Sequence, residues 1–290
     1  MEINGKHIVI TGAASGIGKA VMKELTRYHT DIMAVDIDEQ ALKRAIAEIQ
    51  PQSEERIFPF VTDISLQENV DALFDYALET MGAIDIFFAN VGFGYYQKIE
   101  RPDWEQIDAI FRTNVYSPIY TLEKMKQLNA GREHMVVFTA SVASKMGFPA
   151  YALYAATKAA LDRFAESYRF EMEKNEHLML VYPIATRTNF FRTWEAAMPE
   201  PNQSPEHVAR QVIKGVLANK RAVWPAKYVL PGLLLHTLIP TMRPYQWALN
   251  LQFKDWLKRR RQKGLPVQKS APQPVLTTAE PEQEMTREIP

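Results

Sequence analysis

The feature that most limits what this chain can fold into is a repeated switch between two hydrophobic periods. Apolar runs of strand length recur as HIVIT at 7–11, DIMAVD at 31–36, RIFPFV at 56–61, IDIFFAN at 84–90, HMVVFTAS at 134–141 and LMLVYP at 178–183. The stretches between them, 16–28, 39–49, 66–81, 104–128 and 151–174, carry apolar residues at spacings of three and four, which predicts helices. Strands with little polar alternation suit a parallel sheet covered by helices on both faces. The expected fold class is therefore α/β, a doubly wound parallel sheet, with RAVWP at 221–225 as a short seventh strand. At 290 residues, 47% of them hydrophobic, the chain can bury one sizeable core.

The pattern ends near Pro225, so residues 1–225 form the expected main α/β domain. Residues 226–264 read as an apolar helical extension, with a helix over 244–263 that ends in KRRRQK. From Leu265 to Pro290 the chain is rich in Pro, Gln, Thr and Glu and has too few apolar residues to offset the entropy of ordering, so a disordered tail is expected.

Several function classes drop out on composition. There are no cysteines and the six histidines are scattered, so neither a disulfide framework nor a zinc site is expected, and a reducing compartment suits the chain. Basic and acidic residues balance at 34 each, which gives no global field for nucleic acid. The opening MEINGKHIVITG lacks the basic-then-apolar order of a signal peptide, and the longest apolar run, 228–240, is short and broken by prolines. A cytoplasmic protein is expected, with peripheral membrane contact through 244–263 as one use of that basic helix.

Where the first strand gives way to the first helix, the chain reads ITGAASGIGKA. Gly12, Gly16 and Gly18 permit a tight turn and close backbone approach, so that amides around Ser15 and Ile17 at the helix N-terminus can hold a pyrophosphate. The second strand ends at Asp36, about twenty residues on, where a carboxylate accepts hydrogen bonds from both adenosine ribose hydroxyls. Neither Ser15 nor Ile37 offers a cation to a 2′-phosphate, so the expected cofactor is NAD. Asp38 is better placed than Asp36 to cap the following helix.

With these residues in place, the chain resembles the short-chain dehydrogenase/reductase family over roughly residues 5–225, with a Rossmann-like fold. TGAASGIG from Thr11 is similar to that family's cofactor loop, TDI at 62–64 to its adenine-binding turn and ANVG at 89–92 to its Asn-Asn-Ala-Gly segment. Asn114 falls at its helix asparagine, Ser141 lies thirteen residues before Tyr154, and Lys158 follows Tyr154 by four. YPIATRT from Tyr182 matches its Pro-Gly-x-x-x-Thr segment. The resemblance implies that Asp63, Ile64, Asn90, Gly92, Pro183 and Thr188, together with Tyr154 and Lys158, contact the cofactor. It also implies a homodimer or homotetramer built on the helices of 104–128 and 151–174. The chain departs from the pattern at Ala89, Val91 and Ile184, and 28–31 lacks the glycine usual before the second strand.

The chemistry follows from the residue types. Oxidising an alcohol carbon, or reducing a ketone, needs a group that moves one proton at the oxygen. A free phenol titrates near ~10, too high for an efficient base at neutral pH, and a nearby ammonium is expected to lower it. Tyr154 is thus the expected acid/base and Lys158 its cation, on one face of a helix. Ser141 would hydrogen-bond the substrate oxygen, and by resemblance Asn114 would hold a water that passes the proton on through Lys158.

The substrate expected from this reading is a secondary alcohol or ketone, and the aromatic segments FGYYQ at 93–97 and FFRTW at 190–194 favour a lipophilic one. Arg187 and Arg192 keep open a small polar or acidic alcohol instead. A dinucleotide-binding sensor or scaffold without turnover is the alternative from another class. The extension of 226–264 has three readings: cover for the sheet or a partner, a lid over the pocket, or a membrane contact. Its apolar residues at 245–257 are imperfectly spaced for a single stripe, which favours packing.

Overall fold

Seven parallel strands form one sheet in the order β3-β2-β1-β4-β5-β6-β7 in the computed structural model, which describes residues 1–49, 56–190, 198–238 and 243–267. The strands are β1 His7–Thr11, β2 Asp31–Asp36, β3 Arg56–Val61, β4 Ile86–Ala89, β5 His134–Thr139, β6 Glu176–Val181 and β7 Ala222–Val223. The order reverses between β1 and β4, where Val9 stands beside Phe87 and Ile10 beside Phe88. Connections leave these two strands toward opposite edges, which opens a crevice beyond their C-terminal ends. The edges differ from the centre. Pro59 sits in β3, an edge strand, where a missing N–H is tolerated, and β7 keeps only two paired residues of the expected 221–225.

The period of two along the strands sorts side chains into two cores. Ile8, Ile10, Ile32, Phe88 and Val137 face α1 (Gly16–Leu25), α2 (Glu39–Ile49) and α7 (Pro205–Leu217). Val9, Met33, Phe87, Val136 and Phe138 face α3 (Gln67–Met81), α5 (Ser117–Leu128) and α6 (Ala152–Tyr168). Every one of these strand residues is essentially inaccessible to solvent, as the apolar runs require.

The helix expected over 104–128 is interrupted. α4 runs from Trp104 to Phe111, a wider π turn covers Arg112–Tyr116, and α5 follows. Pro118 supplies the reason: it has no N–H to give the Asn114 carbonyl four residues earlier. The Ser117 N–H reaches back five residues to the Arg112 carbonyl instead.

Beyond β7, α8 spans Leu230–Leu238 and α9 Arg243–Gln262, with Pro231 and Pro244 in their first turns, where proline fits a helix. Phe253, Trp256 and Leu257 of α9 build a third apolar cluster with Tyr96 and Tyr151. Tyr96 is its centre, with ring centroids 5.2 Å from Trp256, 5.6 Å from Phe253 and 5.2 Å from Tyr151.

The tail expected to leave the fold at Leu265 is still packed at Val267, which is buried in that cluster. Its carbonyl accepts the Lys98 N–H at 3.3 Å, and Arg260, lying over the Trp256 ring, donates to the Pro266 carbonyl at 2.8 Å. A valine beside an aromatic cluster thus carries the packed chain as far as residue 267. Residues 268–290 lie outside the described residues.

Candidate active site

A cleft of about 1210 Å³ opens where the sheet order reverses. Gly12, Ser15, Gly16, Ile17, Asp36, Asp63, Ile64, Asn90, Gly92, Ser141, Tyr154, Lys158, Pro183 and Thr188 all line it. Of the site residues expected from sequence, Gly18 and Asn114 alone stand behind the wall.

At one end lies the loop between β1 and α1. Ser15 stands at the N-cap of α1, so the helix opens toward the cleft. Gly18 is obligatory there, because a Cβ would fall 2.0 Å from the Gly12 carbonyl oxygen. Asp36 accepts the Ala14 N–H at 3.0 Å and the Asp38 N–H at 3.1 Å, one on each carboxylate oxygen. The carboxylate is thereby aimed at the rim of the loop while each oxygen keeps a lone pair for a ligand. Asp38 accepts the Ala41 N–H at 2.9 Å and caps α2, as its position suggests.

The floor between the two ends is a polar relay. Asn90 donates from Nδ2 to the Thr11 carbonyl at 3.1 Å and accepts the Thr139 hydroxyl at 3.0 Å, while Lys158 Nζ donates to the Thr139 carbonyl at 2.8 Å. The strand ends of β1, β4 and β5 are thus tied to α6, and Lys158 is held beside Tyr154 with its Nζ 5.7 Å from the ring centroid. Asp63 accepts the Ser65 N–H at 2.9 Å and so shapes the turn after β3. Asn114 donates to the Phe93 carbonyl at 2.8 Å and to Thr157 Oγ1 at 3.1 Å, and accepts the Phe93 N–H at 3.1 Å. Both its amide hydrogens are committed, so the side chain joins the 92–94 segment to α6 and retains one lone pair.

Tyr154 hydrogen-bonds with Ser141, which draws its pKa down, but burial is the larger influence and pushes the phenol up to about 12. The expectation that the lysine would bring it below its ordinary value is not met, because burial of the phenol dominates; burial also brings Lys158 down to about 8. In this pocket Tyr154 holds its proton at neutral pH.

Three contributors carried no clear sequence signal. A Cβ at Gly94 would lie 3.0 Å from Tyr154 Cδ2 and 3.3 Å from Phe190 Cζ, so the backbone presses flat on the tyrosine ring. Thr139 offers only its main chain to Lys158. Asp162, one turn beyond Lys158, accepts the Tyr182 hydroxyl at 2.5 Å and Lys145 Nζ at 2.7 Å, binding the segments that follow Ser141 and precede Pro183 to α6. Of the arginines considered for an acidic substrate, Arg187 turns to Asn202 Oδ1 at 2.6 Å, and Arg192 lies outside the described residues, as do 191–194 of the second aromatic segment.

The other end of the cleft is apolar. Phe148, Tyr151 and Phe190 meet Tyr228, Val229, Leu233, Tyr245 and Leu249 from the C-terminal segment.

The family model for short chain dehydrogenases matches residues 6–199. The chain belongs to the short-chain dehydrogenase/reductase family. It is an oxidoreductase, and this fold and loop are the family's own. A 3-dehydrosphinganine reductase from Danio rerio is 25% identical over 253 residues, 80% of this chain and 75% of that one. An uncharacterized oxidoreductase from Listeria monocytogenes is 30% identical over 199 residues, 67% of this chain and 79% of that one. A short-chain dehydrogenase/reductase from Burkholderia phymatum, solved in complex with NAD, superposes with a TM-score of 0.73 at 20% identity, covering 94% of this chain and 99% of that chain. At that identity the likeness concerns the fold.

Proposed function

We propose that the protein interconverts a bulky lipophilic secondary alcohol and its ketone, using NAD(H). The observation that carries this reading is the division of the cleft, with a loop of amides and the Asp36 and Asp63 carboxylates toward one end and a group of aromatic and aliphatic side chains from the C-terminal segment toward the other. Tyr154 and Ser141 stand between them. The glycine loop, Asp36, Asp63, Ile64, Asn90, Gly92, Pro183 and Thr188 are the residues that would hold the dinucleotide, and the tight Gly12–Gly18 approach fits its pyrophosphate. An acceptor at Asp36, with Ser15 and Ile37 rather than cations at the neighbouring loop and strand-end positions, favours NAD over its 2′-phosphorylated form. The cofactor, when bound, supplies or accepts the hydride.

The chain's own residues then manage one proton. In reduction Tyr154, protonated at neutral pH, donates to the ketone oxygen, and Ser141 donates a second hydrogen bond to the same atom. Lys158, fixed by Thr139, offers the nearby positive charge that makes loss of the phenolic proton less costly. In oxidation the same groups act in reverse. The likeness to a 3-dehydrosphinganine reductase supports a ketone-reducing direction. Pairing into a dimer or tetramer through α4–α5 and α6 is part of the same reading, supported by exposed Trp104, Ile107 and Tyr116.

The test is NADH consumption with a panel of ketones graded in chain length, 3-dehydrosphinganine included, beside short polar and acidic ones. Turnover that rises with apolar length is expected. Preference for small polar substrates, or NADH binding with no turnover of any ketone or alcohol, overturns the reading; the latter outcome identifies a sensor.

A further inference from the structure

Helix α9 has two apolar faces, and the cleft uses only one of them. Tyr245, Leu249, Phe253, Trp256 and Leu257 face the protein, where they line the cleft or join the Tyr96 cluster. Trp247, Leu251, Lys254 and Lys258 follow one another at spacings of four, three and four, which places them in a single stripe on the opposite face. All four are exposed, Trp247 at 63% and Leu251 at 45%. The stripe is apolar in its first half and basic in its second.

Its charge is unlike the rest of the chain. Residues 243–263 hold seven cations and one carboxylate in a sequence that balances overall. Three of the seven are occupied: Arg259 pairs with Asp255 at 3.0 Å, Arg261 with Glu100 at 3.6 Å, and Arg260 is buried against Trp256. Lys254 and Lys258 engage no partner among the described residues. A large exposed indole in line with unpaired lysines matches an interface of headgroups, where the ring enters the apolar boundary and ammonium groups meet phosphates. The C-terminal segment borders the cleft as well: Tyr228, in the turn before α8, lines it and is 63% exposed, and Leu233 of α8 and Leu249 of α9 line it too.

We propose that the outer stripe of α9 docks on an anionic phospholipid surface, with Trp247 and Leu251 in the headgroup boundary and Lys254 and Lys258 on lipid phosphates. On the lipophilic-substrate reading above, this sets the mouth of the cleft against the phase in which such a substrate resides. The contact itself is measured without substrate, so the two readings can fail separately.

The full chain is sedimented with vesicles of phosphatidylcholine alone and with vesicles containing phosphatidylserine. Binding to the anionic vesicles is expected, weakening as salt rises. Lys254→Gln with Lys258→Gln lowers partitioning roughly 30-fold, at about fivefold per cation near a charged surface. Trp247→Ser with Leu251→Ser also lowers it, and both pairs leave turnover of a short water-soluble ketone unchanged. Should either pair unfold, brominated phospholipid in the anionic vesicles still tests the wild type, whose tryptophan fluorescence it quenches if Trp247 enters the interface. No binding to anionic vesicles in low salt overturns the proposal. So does retention by heparin without vesicle binding, which assigns the lysines to polyanions at large. Self-association that Trp247→Ser abolishes overturns it too, by assigning the stripe to a second copy of the chain.

Discussion

The two ends of the cleft are built by opposite means. The end proposed for the nucleotide is largely backbone: glycines, helix amides and strand ends, with Asp36 held by two main-chain N–H groups. Most of its pieces follow one another within short stretches of chain. The apolar end is built mainly of side chains, gathered from segments as far apart as Phe148 and Leu249, and braced by the Tyr96 cluster. Backbone sites tolerate few substitutions and hold one kind of ligand, whereas a wall of side chains can be re-lined without disturbing the fold. The cofactor end is therefore the fixed half of this enzyme and the apolar end its adjustable half.

Substitutions that touch one end alone break or sharpen that comparison. Tyr154→Phe lies at the boundary and has the largest effect: kcat falls by roughly 10³-fold or more with loss of the proton-transferring hydroxyl, while the NADH dissociation constant, read by fluorescence, stays the same. Trp256→Ala strikes the apolar end. It opens a cavity in the third cluster, costs about 3 kcal/mol of stability, and raises KM for long-chain ketones more than for short ones while NADH binding is kept. Weakened NADH binding in this variant would mean that the two ends are not separable.

Lys158→Met sharpens the comparison through pH. Burial brings Lys158 to about 8 in the folded protein against an ordinary 10.5, so the unfolded chain binds more protons between those values. The charged form therefore destabilises the fold fully below pH 8, and the cost fades as pH rises toward 10.5. Removing it should gain about 3 kcal/mol at pH 7, less about 1 for the lost Thr139 bond. The gain vanishes in melts near pH 10.5, and activity is lowered at every pH, by less than in Tyr154→Phe. In the wild type, ketone reduction should fall as pH rises through about 8, as the cation beside Tyr154 is lost; a flat profile to pH 10 would remove Lys158 from the mechanism.

The smallest expected effect belongs to Asp36→Ala. It weakens NAD roughly tenfold and narrows the preference against a 2′-phosphate, leaving KM for the ketone untouched. An unchanged NAD to NADP ratio would sink the cofactor assignment.

Legibility in the sequence follows the same division. Strand positions, the glycine loop, Asp36 and the Ser141, Tyr154 and Lys158 positions are visible because each is set by local spacing or by period. Gly94 and Asp162 act through neighbours distant in sequence, so nothing near them announces their contacts. Pro118 was a readable mark of the widened turn at Asn114, since its missing N–H falls four residues on. The apolar residues of α9 look irregular as one stripe because they are two, and only the packing of Tyr96 against Trp256 shows which faces inward. The pKa of Tyr154 could not be read from the nearness of a lysine, because it depends on the burial of both.

The proline in β3 and the two-residue length of β7 have a consequence for how copies of the molecule can meet. An open sheet invites another strand wherever an edge presents a long, regular row of free N–H and C=O groups. Here the row along β3 is missing its donor at Pro59, and along β7 it ends after two residues. Neither border can template a continuing ladder, so a partly opened molecule at high concentration has little means of growing into a fibre from its sheet, and association in the native state is left to helices.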